Sequence, residues 1–241
     1  MPEIKTAATH IKSGFITRED EKNGFIIRSL KNIASPEEVA HVLNINRDTV
    51  AAFLAVPDAR LCMCKQIHGT KIAVTDDAGI IEAADGLITT TPGLAIGVLV
   101  ADCAALLFSD HGNGVIAAVH AGWRGASEGI VSNAVEKFKK AGADLHRTNV
   151  YISPCISQAS FEVGEEVASR FPDSCVDRSK KKPHIDLQGF IQSELVKGGI
   201  PRGNITRDSK CTFKSPDKLH SHRRDGLMSG RMMAVTVMKQ K

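Results

Sequence analysis

Two apolar runs lying close together, Leu94–Val100 and Val115–Val119, constrain this chain more than anything else in its sequence. Each has the length of a strand and is rich in Val, Ile and Leu, so each reads as a buried strand. Both end in chemistry. The first leads into Asp102-Cys103; the second stops at His120 and breaks into Ala121-Gly122-Trp123-Arg124-Gly125. Reactive side chains at strand ends, beside a glycine turn that opens a helix, are a recurrent way of building a site on a rigid sheet. Taken singly, Cys103 reads as core filler and His120 as a core histidine, because both types are common inside proteins. Taken with Gln66-Ile67-His68-Gly69 upstream, they read as a site.

The rest of the chain narrows what that site can serve. With 241 residues, 42% hydrophobic and 24% charged, the chain has enough apolar material for a sizeable core. Aromatic residues make up 5% of it, which argues against a base-stacking surface for single-stranded nucleic acid. The net charge is +4, and the dense basic runs are Lys180-Lys181-Lys182, read as a solvated loop, and Arg223-Arg224. No run is long enough to span a bilayer, and the N-terminal MPEIKTAATH lacks the apolar core of a signal peptide. The expectation is a cytoplasmic protein with no nucleic-acid or membrane partner, a monomer or weak homo-oligomer. Six cysteines in a chain of this length suggest free thiols or metal ligands rather than a disulfide scaffold.

Along the chain, Ile16 and Phe25-Ile26-Ile27 read as strands around a polar turn, a hairpin-like start over 11–34. Ser35-Pro36-Glu37-Glu38 announces a capped helix running to Pro57. Strands are expected over Leu61–Ile67, Lys71–Thr75, Asn149–Ile152 and Met232–Val237, with a turn at Asp85-Gly86. Ser127 is the expected cap of a helix burying Ile130, Val131, Ala134, Val135 and Phe138, and Gly142 stops it. Helices are also expected over Gly164–Phe171 and Asp186–Lys197. No repeat or linker divides the chain, so one domain of mixed strands and helices over residues 1–241 is the economical reading.

His68, Cys103 and His120 come from distant segments, unlike the close ligand pairs of a zinc finger. Two His and one Cys make a three-ligand zinc site whose fourth place stays open, the catalytic pattern. Zinc so held lowers the pKa of bound water to ~7. His₂Cys is also a copper pattern, so Cu²⁺ is the alternative ion.

Several motifs resemble the YfiH-type laccase-domain family. They are Lys65-Gln66-Ile67-His68-Gly69, Ala84-Asp85-Gly86, Ala101-Asp102-Cys103 and Val119-His120-Ala121-Gly122-Trp123-Arg124-Gly125. The resemblance continues through Ser153-Pro154-Cys155-Ile156, Phe161-Glu162-Val163-Gly164, Ile185-Asp186-Leu187 and Cys211-Thr212-Phe213, and ends in Ser221–Gly226 and Gly230-Arg231. Members have been described as multicopper polyphenol oxidases. They have also been described as zinc-dependent purine nucleoside phosphorylases with adenosine deaminase side activity, and as peptidoglycan-precursor editing factors. The resemblance implies an α+β fold, an α/β/β/α sandwich of two facing mixed β-sheets with outer helices and a site in a cleft. It also implies metal ligands at His68, Cys103 and His120. The chain departs from the family pattern at Ser153 (usually glycine), His222 (usually tyrosine), Glu19-Asp20 (usually Gly-Gly) and Lys31 (usually asparagine).

The remaining roles rest on residue type and position. Cys103, His120 and Asp102 are the candidate catalytic residues, Asp102 as general base or as a carboxylate behind the ligands. Arg124, in a glycine-flanked turn opening a helix, suits inorganic phosphate, with a structural ion pair as the alternative. Gln66 and Arg223 are candidate substrate contacts, and Arg224 is expected to face solvent. The resemblance implies adenosine, inosine and methylthioadenosine as substrates, cleaved with phosphate to base and ribose 1-phosphate. A full laccase lacks enough well-placed histidines. A metal-free cysteine hydrolase using Cys103 with His120 or His68, and a non-enzymatic metal-binding module, remain as alternatives.

Overall fold

The computed structural model describes residues 10–30, 33 and 35–240. Lys31 falls outside them. The strands, in chain order, are β1 (Ile11–Ile16), β2 (Arg60–Lys65), β3 (Ile72–Val74), β4 (Gly79–Glu82), β5 (Gly86–Thr89), β6 (Leu94–Val100), β7 (Ala104–Asp110), β8 (Val115–Ala121), β9 (Asn149–Ile152), β10 (Val176–Asp177), β11 (His184–Ile185), β12 (Ile205–Arg207) and β13 (Met232–Met238). The helices are α1 (Arg18–Glu21), α2 (Pro36–Leu54), α3 (Trp123–Ser127), α4 (Ile130–Lys140), α5 (Glu165–Ala168), α6 (Leu187–Lys197) and α7 (His222–Asp225).

Two mixed sheets carry the fold. One has strand order β1-β13-β6-β2-β4 and the other β12-β9-β7-β8-β5-β3; β10 and β11 form a small separate ribbon. Period-two alternation explains how the sheets stack. Cys62 and Cys64 of β2, Ala105 and Leu107 of β7, and Ile116 and Ala118 of β8 meet in one apolar cluster between the sheets. Their alternates point outward. Leu61 and Met63 pack with Val50 and Leu54 of α2. Leu106, Phe108, Ala117 and Val119 pack with α4 and α6. The result is the α/β/β/α sandwich, and it explains why β6, β7 and β8 are buried along their whole length.

Local chemistry fixes several elements as expected. Ser35 caps α2, accepting from Glu38 N, while Glu38 reaches back to Ser35 N. Asp186 accepts from Gly189 N at the start of α6. All five apolar residues assigned to α4 are buried.

Other expectations are corrected. The N-terminal hairpin does not form: β1 pairs antiparallel with β13, Ile11 opposite Met238. Phe25–Ile27 is irregular, and the buried Asn46 side chain accepts from Arg28 N and donates to Arg28 O, satisfying backbone that a partner strand would have taken. Ser127 ends α3 instead of capping α4, whose cap is Gly129 at φ +95°. The short helix expected within Gly164–Phe171 does form, as α5. Ala104–Asp110, not singled out in the sequence, is a central strand. Among the described residues no helix is long and apolar enough to cross a membrane.

Candidate metal centre

Three elements converge on one point. His68 stands just after β2, Cys103 in the turn between β6 and β7, and His120 near the end of β8. One ligand atom from each lies within 4.8 Å of the others, forming a potential metal-holding group among the described residues. The two imidazoles stand edge to face, centroids 4.7 Å apart. Burial grades across the group: His120 is buried, Cys103 half-buried and His68 exposed. The group therefore opens toward solvent on the His68 side.

The backbone around it is held in unusual conformations. His68 has φ +61° and Asp102 φ +82°, left-handed backbone that non-glycine residues adopt at a cost. What pins His68 is Asp85. Its carboxylate accepts from the N–H groups of Ile67 (3.3 Å), His68 (2.8 Å) and Gly69 (2.7 Å). The same carboxylate bonds Nδ1 of His120 at 2.8 Å, leaving Nε2 of that ring for a ligand role. Asp85 is fully buried and leads directly into β5, so the expected Asp85-Gly86 turn is instead the carboxylate behind the site. Sequence reasoning missed this because Asp-Gly between apolar runs has the composition of a turn. The available signal was its place in the Ala84-Asp85-Gly86 motif.

Glycine shapes the other side. A Cβ on Gly122 would stand 2.8 Å from Cys103 Sγ and 3.3 Å from His68 Cδ2. A Cβ on Gly125 would stand 2.6 Å from the carbonyl oxygen of Gly69, so α3 lies directly on the His68 turn. The ligands thus sit in a cradle that any side chain at Gly122 would fill. A thiolate and two imidazoles fit a late transition ion such as zinc or copper, and a carboxylate-bound His120 is the arrangement such ions commonly have.

Electrostatics agree with that donor set. Burial alone would raise the Cys103 thiol, but the charge and hydrogen bonds of His120 and His68 outweigh it and bring it down to about 6. Burial pushes His120 down, but Cys103 and Asp85 carry it up to about 9. Burial raises the Asp85 carboxyl, while His120, Gly69 and Ile67 together hold it below the usual carboxylate range. Cys62, by contrast, is pushed up to about 11 by burial, and burial also raises Cys64, Cys155 and Cys175.

The other candidates lie around this centre in unequal roles. Asp102 is tied on both oxygens: Thr212 Oγ1 donates to one and Arg223 N to the other at 2.6 Å. Gln66 donates to Leu99 O and accepts from Leu99 N, both at 2.8 Å, bracing β2 against β6. The Arg223 guanidinium donates to Glu162 O and lies 5.8 Å from the Phe161 ring centroid. The Arg124 guanidinium lies 5.2 Å from the Trp123 ring centroid and has no carboxylate partner among the described residues. Arg224 does not face solvent. It clamps Thr212 O, Phe213 O, Leu219 O and the Asp225 carboxylate, with its side chain 18% exposed.

The departures from the family pattern are accommodated locally. The Ser153 hydroxyl is buried, accepting from Ala105 N and donating to Pro154 O. Asp20 takes the N–H and hydroxyl of Thr17, and Glu19 N donates to Lys218 O. His222 uses Nδ1 on Gly226 O. His220 is paired with Glu21 through Nε2.

Residues 13–239 match the family of multi-copper polyphenol oxidoreductase laccases. A purine nucleoside phosphorylase of Corynebacterium glutamicum is 35% identical over 198 residues, covering 79% of this chain and 79% of that one. An adenosine deaminase from an unknown prokaryotic organism is 34% identical over 203 residues, covering 77% and 78%. The crystal structure of the hypothetical protein YfiH of Bacillus licheniformis superposes with a TM-score of 0.83 at 26% identity, covering 95% and 93%.

Proposed function

The chain belongs to the multi-copper polyphenol oxidoreductase laccase family, and we propose that within it this protein is a zinc-dependent purine nucleoside phosphorylase with adenosine deaminase side activity. The observation that carries the reading is the match over four-fifths of both chains to a purine nucleoside phosphorylase. It is supported by a ligand group that is buried at His120 and open at His68. The proposed substrates are adenosine, inosine and methylthioadenosine, and the products free base and ribose 1-phosphate. The six free thiols suit a reducing compartment, and the cytoplasm is the proposed location.

His68, Cys103 and His120 would hold the zinc. When bound, it supplies a Lewis acid at the open coordination position. The chain's own residues supply the rest. Cleaving the N-glycosidic bond builds positive charge on the ribose as the base leaves with the bonding electrons. A phosphate oxygen then bonds to C1′. Arg124, two residues beyond Gly122 and free of any carboxylate among the described residues, would hold that phosphate. Arg223 is the proposed second cation, and Asp102, beside Cys103, fixes the backbone that carries it. Asp102 and Gln66 act by positioning, because both side chains are already hydrogen-bonded at each end.

Release of free base from inosine and adenosine tests the reading. It should require inorganic phosphate and disappear in Cys103→Ala. Base released equally fast without phosphate makes the protein a hydrolase and overturns the proposal. The lowered Cys103 thiol beside the raised His120 also favours a second reading, a cysteine hydrolase working without metal. Zinc separates the two: it would inhibit the thiol enzyme and is required by the phosphorylase.

A further inference from the structure

A second imidazole pair lies at the far end of the sandwich from the ligand group. His10 immediately precedes β1, and His111 is in the turn joining β7 to β8. The ligand His120 is at the other end of β8, five strand residues beyond Val115, roughly 17 Å along the chain. The His10 and His111 rings stand edge to face with centroids 5.7 Å apart. Both ring nitrogens of His111 are buried without a hydrogen-bond partner. No other buried side-chain nitrogen or oxygen among the described residues is in that position.

A buried polar group left unpaired is costly, and a native instance calls for a missing partner. The described residues do not supply one. The neighbouring Asp110 carboxylate already accepts from the N–H groups of Gly112, Asn113 and Asp144. Arg147, packed on Gly112, donates to Asn113 and pairs with Asp144. What remains beside His111 is a second imidazole. Two imidazoles sharing one ion at ~2.0–2.1 Å have centroids roughly 5 to 6.4 Å apart, for ligand angles from tetrahedral to linear. The observed separation lies in that interval. Met238 borders the same turn, its Sδ 3.6 Å from where a Cβ on Gly114 would stand.

We propose that His10 and His111 form a second metal site, selective for late first-row ions such as Zn²⁺ or Ni²⁺, with water completing the coordination. Neutral imidazoles without a carboxylate select these ions over Mg²⁺ and Ca²⁺. Burial and His10 hold His111 below its usual pKa, which keeps it in the neutral, ligating form. The site is independent of the proposed reaction.

Zinc titration of the full chain against a chromophoric chelator tests it. Wild type should bind two equivalents per chain. His111→Gln should bind one and keep wild-type activity; Cys103→Ser should lose the tight equivalent and keep the other. With Co²⁺ in place of zinc, the equivalent retained by Cys103→Ser should show no thiolate charge-transfer band. A single equivalent in wild type, or two in His111→Gln, overturns the proposal. Should His111→Gln fail to fold, His10→Gln carries the same expectation from the edge of the sheet.

Discussion

Asp85 holds His120 by a 2.8 Å bond between Oδ1 and Nδ1, deep inside the protein, and the same carboxylate gathers the backbone N–H groups that set His68. One buried side chain therefore orients both histidines. Asp85→Asn keeps the shape but removes the charge and one acceptor. It should weaken zinc binding by about 10–100-fold while the fold persists, as removing an outer partner of a ligand histidine does. Chelator competition with circular dichroism alongside checks this; unchanged affinity would show that the histidines are held by something else.

Gly122 and Gly142 separate steric from backbone demands. Gly122 has an ordinary φ of −74°, so Gly122→Ala acts only through the Cβ thrust 2.8 Å from Cys103 Sγ. It should abolish metal binding in a folded protein. Gly142 has φ +101° with nothing within 4 Å of a Cβ. Gly142→Ala should cost about 1 kcal/mol of stability and leave zinc stoichiometry intact.

The metal-free protein should show a distinctive pH dependence. Cys103 titrates at about 6, so alkylation by iodoacetamide should fall only as pH drops through about 6, while an ordinary thiol reacts appreciably only near 9.0. The signs for stability follow. The lowered Cys103 stabilises above its unfolded pKa and loses that contribution as pH falls through about 6. The raised His120 stabilises below 6.5 and loses its share as pH rises through about 9. The two contributions change in opposite senses between about 6 and about 9, so chelator-treated protein should show a nearly flat stability across that window. Alkylation that already falls away as pH drops below about 9, as for an ordinary thiol, would contradict the Cys103–His120 pairing.

Asp102 ties the Cys103 turn to Arg223 and Thr212. Asp102→Ala should raise KM for nucleoside several-fold more than it lowers kcat, and Thr212→Val should do the same more weakly. A catalytic base would show the opposite split, a large loss of kcat.

The candidate ligand triad was legible because His68, Cys103 and His120 follow or end apolar strands, and strands carry their periodicity in the sequence. The helices α2 and α6 were legible for the same reason, from apolar spacing and caps, and α4 from its apolar spacing alone. What escaped is non-local. Gln66 looks like a free polar side chain until Leu99, 33 residues away, takes both ends of its amide. Asp85 has the local chemistry of a turn and gains its role only when β8 brings His120 against it. The partner of β1 is a strand at the other end of the chain, which no local pattern specifies. Arg224 reads as a solvated charge beside Arg223, yet it closes over the three carbonyls of a folded loop.

The sugar product of inosine cleavage by the zinc-loaded protein tests the central claim most directly. Ribose 1-phosphate should form in amounts equal to hypoxanthine and only with inorganic phosphate, and Arg124→Ala should raise the phosphate concentration required. Free ribose as the sugar product, at a rate indifferent to phosphate, would contradict it.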